Sequence, residues 1–220
     1  MAKRVLHDRY FRQAKREGYL ARSAYKLIEL DQRRRIFRDG DRVLDLGCAP
    51  GSWLQVACER VGRNGYVAGI DLLAVSPGVP PEVRTVRGDF TTIDTEELLP
   101  PDGMLFDVVL SDMAPNTSGH GDHFRSIRLC HQILDRVGDL LARDGDLVMK
   151  VFEGEEMGGL TQRCRSIFRK LSVIKPRATR EVSRETFAVA QGYTPHRDRR
   201  GRSPDARPGG GPPEPVKGWS

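Results

Sequence analysis

The sequence predicts an α/β protein built on a mostly parallel, doubly wound sheet, and three observations predict it. Short apolar runs alternate with helical patterns along most of the chain, the signature of strand–helix–strand units. Those runs are continuously apolar rather than alternating, as expected of strands covered on both faces. At 220 residues the chain is long enough to bury one full core of this kind.

The elements follow in order. Residues 8–36 read as helical, with Leu20, Ala24, Leu27, Ile28 and Leu30 on an apolar face among arginines and lysines. Gly18 divides that segment in two, and Asp39-Gly40-Asp41 is a turn. The first strand is predicted over 42–46, followed by a Gly/Pro loop and a helix over 52–61 for which Ser52 is a plausible N-cap. Further strands are predicted over 66–72, 83–88, 106–111 and 146–152, then over 171–175 and 186–191. Helices are expected over 120–142 and 156–170.

Charge divides the chain more sharply than its net +6 indicates. Residues 1–38 hold 12 Lys/Arg against 4 Asp/Glu, and residues 194–220 hold 6 against 3, so the part between them is net acidic. A basic arm on an acidic body suits contact between the arm and phosphates. Three regions are expected: a basic helical arm over 1–38, a folded domain over 39–193, and a disordered Arg/Pro/Gly-rich tail over 194–220. The four cysteines lack C-x-x-C or zinc-ligand spacing, which predicts reduced thiols and no metal. No apolar run approaches membrane-spanning length and no secretory signal is visible. A cytoplasmic protein is the expectation.

The sharpest local feature is Asp45-Leu46-Gly47-Cys48-Ala49-Pro50-Gly51-Ser52-Trp53, where the first strand meets the first core helix. Ligand crevices of doubly wound sheets lie at such carboxyl ends. Gly47 and Gly51 permit close backbone approach to a ligand, and Pro50 stiffens the turn. The spacing is not G-x-G-x-x-G, which weighs against a dinucleotide. Asp71, Asp89 and Asp112 end or follow the next three strands. Asp71 is placed to accept hydrogen bonds from ribose hydroxyls, and Asp89 lies where an adenine would be. An acidic rim repels a pyrophosphate but suits ribose hydroxyls and a cationic sulfonium. The expected cofactor is therefore S-adenosyl-L-methionine, held by Gly47, Pro50, Gly51, Trp53, Asp71, Asp89 and Asp112.

Lys150 sits inside the apolar run Leu147-Val148-Met149-Lys150-Val151-Phe152, where a lysine without a task is rare. Lys26 in Arg22-Ser23-Ala24-Tyr25-Lys26-Leu27, Asp112 in Ser-Asp-Met-Ala-Pro-Asn, Lys150, and Glu185 in Ser183-Arg184-Glu185-Thr186 complete a Lys-Asp-Lys-Glu pattern. With the glycine loop, that pattern resembles the ribose 2′-O-methyltransferases of the FtsJ/RrmJ type, from about residue 9 to residue 193. The resemblance implies a Rossmann-like methyltransferase fold with a final antiparallel strand over 186–191. It also implies Lys150 as general base, with Lys26, Asp112 and Glu185 completing the catalytic set. Residues 111–118 resemble the members that methylate a uridine ribose in large-subunit (23S) ribosomal RNA. Ser52 departs from their Ala-Pro-Gly-Gly-Trp, and that version of the loop, together with the basic helix over 10–26, is similar to relatives acting on tRNA anticodon loops. Arg9, Arg12, Lys15, Arg16 and Arg22 are the expected RNA contacts, and a monomer acting on the large ribosomal subunit is the expected assembly. A rival from another class, a non-catalytic RNA-binding ribosome-assembly protein, predicts loss of a tetrad member or of the loop.

Overall fold

A computed structural model describes residues 2–114, 122–154, 156–180 and 183–194. Its helices are α1 (Ala2–Glu17), α2 (Ala24–Arg34), α3 (Ser52–Val61), α4 (Asp122–Leu140) and α5 (Met157–Ile167). Its strands are β1 (Arg42–Leu46), β2 (Tyr66–Asp71), β3 (Arg84–Arg87), β4 (Phe106–Ser111), β5 (Leu141–Phe152), β6 (Phe168–Ile174) and β7 (Glu185–Tyr193). They form one seven-stranded sheet in the order β3-β2-β1-β4-β5-β7-β6. Strands β3, β2, β1, β4 and β5 pair in parallel, and β7 lies antiparallel between β5 and β6.

Two apolar layers sandwich the sheet. Leu147, Met149 and Val151 of β5 face a cluster with Ile133, Leu134 and Val137 of α4 and Leu160 and Cys164 of α5. Val148 of the same strand faces the opposite cluster, with Leu27 and Leu30 of α2 and Trp53, Leu54 and Ala57 of α3. Lys150 shares the Val148 side because strand side chains alternate. Each fully buried Leu contributes roughly 1.5–3 kcal/mol, so Leu27 and Leu30 clamp α2 firmly and thereby fix the position of the adjoining Lys26. Helix α1 docks through a smaller cluster, with Ala14 packed against Tyr25 and Tyr10 and Tyr19 around the Tyr25 ring at 5.5 and 5.8 Å.

Several boundaries differ from the sequence expectation, and three of these shifts have a direct physical reason. The helix expected over 156–170 stops at Ile167, because Phe168 is fully buried and pairs with Tyr193 in the sheet. The basic pair Arg169-Lys170, which reads as a helix end, lies on exposed positions of β6. The third strand is only Arg84–Arg87 and is mostly exposed, since it forms the sheet edge and is not covered as the central strands are. Strand β5 starts at Leu141 rather than 146. Leu141 pairs with Phe106 and Asp146 with Val108, so the intervening residues leave the ladder, with Asp144 at a φ of 68°. The expected break at Gly18 is a turn that separates α1 from α2, with Gly18 at a φ of 82°. Residues 120 and 121 of the expected helix 120–142 lie outside the described residues, as does the tail from 195 onward. Among the described residues, no helix is long and apolar enough to cross a membrane.

Candidate active site

The carboxyl ends of β1, β2 and β4 meet at one rim, where Gly47 and Gly51 shape the turn into α3. Gly47 has a φ of 77°, and a Cβ there would overlap Met113. Gly51 has a φ of 117°, and a Cβ there would overlap Val79. The backbone N–H groups of Gly47 and Cys48 both donate to the Ile70 carbonyl, at 2.8 and 3.2 Å, tying the turn to the end of β2. The Pro50 carbonyl accepts from the Ser76 amide at 2.9 Å. Helix α3 starts at Ser52, so its first amides lack intrahelical acceptors and face the crevice end of the helix.

The three expected cofactor carboxylates stand around this turn. Asp71 accepts from the Ala49 amide at 2.9 Å and from the Leu73 amide at 2.8 Å, which locks it between the loops after β1 and β2. Asp89 is exposed just beyond β3. The Thr91 hydroxyl and then the Thr91 amide hold its carboxyl below the usual range. Arg136 of α4 steadies the same loop by donating to the Phe90 carbonyl, to the Ile93 carbonyl at 2.8 Å and to Thr95 Oγ1 at 2.7 Å. Asp112 follows β4. Trp53 is buried, and its indole N–H donates to the Ser23 carbonyl at 2.9 Å while the ring lies 5.7 Å from Phe187. The side chain therefore joins α3 to the residue before α2 and to β7.

The four tetrad residues form two ion pairs. Lys150 Nζ lies 2.9 Å from Asp112 Oδ1 and also donates to the Asp112 carbonyl. Lys26 Nζ lies 2.5 Å from Glu185 Oε1, and the Thr179 hydroxyl donates to the same oxygen at 3.4 Å. Both lysines are buried to 9% exposure or less. Phe187 separates the pairs: it faces Lys150 across the β5–β7 ladder, and its ring centroid is 5.7 Å from Lys26 Nζ. Glu185 is two positions from Phe187 and so lies on the same side of β7. A period-2 reading from Glu185 would have found Phe187, but no sequence signal marks Thr179.

Arg9, Arg12, Lys15 and Arg16 lie on exposed positions of α1. Arg22 is nearer the tetrad. Its charge is disfavoured by burial and then by Arg180, and favoured by Glu185. Phe11, passed over in the sequence, is 60% exposed among these basic residues.

A Rossmann-like sheet with one inserted antiparallel strand, a glycine cradle at the carboxyl rim and two lysine–carboxylate pairs beside it define the class of α/β methyltransferases. The chain belongs to the FtsJ-like methyltransferase family, whose model matches residues 19–193. It is 44% identical over 191 residues to the ribosomal RNA large subunit methyltransferase E of Halorubrum lacusprofundi, covering 84% of this chain and 70% of that protein. The protein of the same description from Bdellovibrio bacteriovorus is 40% identical over 186 residues, covering 83% and 94%. A solved structure from Plasmodium falciparum, described as a ribosomal RNA methyltransferase, superposes with a TM-score of 0.70 at 28% identity, covering 80% of this chain and 98% of that one.

Proposed function

We propose that this enzyme uses S-adenosyl-L-methionine to methylate the ribose 2′-hydroxyl of a uridine in large-subunit (23S) ribosomal RNA. The observation that carries the reading is the buried Lys150–Asp112 pair beside the Gly47–Gly51 cradle. The residues fit the cofactor: Asp71 and Asp89 would receive its hydroxyls and base, the α3 amides and Gly47 its methionine end, and Asp112 the reacting side. When bound, the cofactor supplies a methyl group already activated on a sulfonium.

A ribose hydroxyl ionises far above neutral pH, so the protein must align its oxygen and remove its proton. Lys150 Nζ takes that proton after passing its own to solvent, and Asp112 fixes the nitrogen through its carboxylate and its carbonyl. The Lys26–Glu185 pair closes the other side of the site and orients the ribose. The exposed basic face of α1 would run along RNA phosphates, with Arg22 nearest the reacting nucleotide and Phe11 available to stack on a base.

The names of the relatives support ribosomal RNA over tRNA. The tRNA alternative draws on Ser52 and on the basic helix over 10–26; of these, Ser52 is buried and its hydroxyl is hydrogen-bonded to Ser23 Oγ at 2.9 Å. There it braces α3 against the segment before α2. A non-catalytic role is disfavoured because the tetrad and the loop are complete. In this reading the enzyme works in the cytoplasm as a monomer on the large subunit.

The direct test is transfer of tritiated methyl groups from S-adenosylmethionine to purified large subunits, to their free RNA and to tRNA, followed by mapping of the label. A 2′-O-methyluridine in large-subunit RNA is expected. Label confined to tRNA or protein, or no transfer, refutes the reading. Salt tests the arm separately. RNA affinity should fall steeply with ionic strength, and replacing Arg9, Arg12, Lys15 and Arg16 by Gln should flatten that slope by about 0.7–0.9 per lost phosphate contact. An unchanged slope removes α1 from the interface.

A further inference from the structure

Asp45 is a charged residue type in the driest place on the sheet. It is 1% exposed, and neither carboxylate oxygen has a hydrogen-bond partner among the described residues. It pairs in register with Gly69 of β2 on one side and with Leu110 of β4 on the other. Asp71 and Asp112 each lie two positions further along those neighbouring chains. The two-residue alternation therefore puts all three carboxyls on one side of the sheet, with Asp45 one step behind the rim.

The groups facing Asp45 are Asp71 from β2, Asp112 from beyond β4 and the Cys48 thiol from the loop above it. Lys150 of β5 is already paired with Asp112. Asp71 has two amides and Asp112 has a lysine, so only Asp45 has nothing to stabilise a negative charge. Burial, then Asp112 and Asp71, push its ionisation well above the usual carboxylate range. An apolar residue would pack here without that conflict. A carboxyl in this position becomes useful only when positive charge arrives.

We propose that Asp45 carries a proton in the free protein and gives it up to solvent when the cationic cofactor binds, coupling cofactor capture to proton release. The inference rests on the S-adenosylmethionine reading. The O–H bond of the carboxyl breaks, the proton passes to buffer, and the carboxylate left behind balances the charge of the ligand. Asp45 acts here as a charge-compensating residue and takes no part in methyl transfer.

Calorimetric titration of the wild-type protein with S-adenosylmethionine, in buffers of different ionisation enthalpy, reads the proton directly. Proton release approaching one per ligand is expected within the pH window between the bound and free ionisations, with affinity rising by up to tenfold per pH unit across it. S-adenosylhomocysteine keeps the ammonium but lacks the sulfonium. Release with both ligands assigns the balanced charge to the ammonium, and release with S-adenosylmethionine alone assigns it to the sulfonium; either outcome supports the proposal. Asp45→Asn should bind with no proton release and with a flat pH profile.

Stability supplies a readout without any ligand. The native state holds a proton that the unfolded chain loses above about pH 4, so Asp45 makes the free protein less stable as pH rises, until its native ionisation is passed. Asp45→Asn should remove that slope. Should the variant fail to fold, an infrared difference spectrum of the wild type decides, because a protonated-carboxyl band should vanish on binding. Binding without release, release that persists in Asp45→Asn, or absence of that band overturns the proposal. If neither nucleoside binds the wild type, the cofactor reading itself falls.

Discussion

Lys150→Ala is expected to lose methyl transfer by about 10²–10⁴-fold, the usual contribution of a positioned base, while still binding S-adenosylmethionine. Alanine alone does not isolate that role. Lys150 is also the partner of Asp112, and stripping one member from a largely buried pair costs about 3–5 kcal/mol, part of which Asp112 recovers through its own residual exposure. Lost turnover could then reflect a displaced Asp112. Lys150→Arg separates the two effects. A guanidinium keeps a cation beside Asp112 but cannot give up its proton at accessible pH. The arginine variant should therefore stay close to the wild type in melting temperature and cofactor affinity, yet be as inactive as the alanine variant. Substantial turnover by either variant removes Lys150 as the base. At the other ion pair the expectation reverses: Lys26→Arg can still meet Glu185, so it should retain much of the activity if Lys26 holds and orients RNA.

Much of this site was legible because its residues interrupt patterns. Lys150 stands out in an apolar strand, and Gly47, Pro50 and Gly51 stand out between a strand and a helix. The sheet was legible where strands are central and continuously apolar. It is less legible at the start of β6, where one-sided cover admits the charges of Arg169 and Lys170 and blurs the period. Partners were not legible at all. Trp53 looks like a cofactor contact from its place in the loop, but its donor belongs to Ser23. Ser52 looks like a substrate signal, but it reaches Ser23 as well. Asp45 looks like a fourth member of the acidic rim. Its lack of a hydrogen-bond partner among the described residues follows from the alignment of β1 with β2 and β4, which depends on contacts across the sheet and not on local sequence.

Gly51→Ala should weaken binding of both S-adenosylmethionine and S-adenosylhomocysteine by about ten- to a hundredfold, with a modest loss of stability. Two effects add at this position. A φ of 117° is a conformation that a non-glycine residue adopts only at a cost of order 1–3 kcal/mol, and 1.4 kcal/mol is tenfold in affinity. A methyl group would also overlap Val79 Cγ2 and sit 3.1 Å from Leu20 Cδ1. The turn must then move, and it carries the α3 amides and the carbonyl that holds Ser76. Adding Val79→Ala opens room for the methyl without changing the backbone requirement. If overlap dominates, Gly51→Ala/Val79→Ala regains most of the lost affinity; if strain dominates, it regains little. Gly18→Ala is the control, since Gly18 also has a positive φ, of 82°, but nothing lies within 4 Å of its would-be Cβ. It should cost stability through strain alone and leave cofactor binding intact. Wild-type affinity in Gly51→Ala would show that the cradle does not approach the ligand, and would move the cofactor site off the β1–α3 turn.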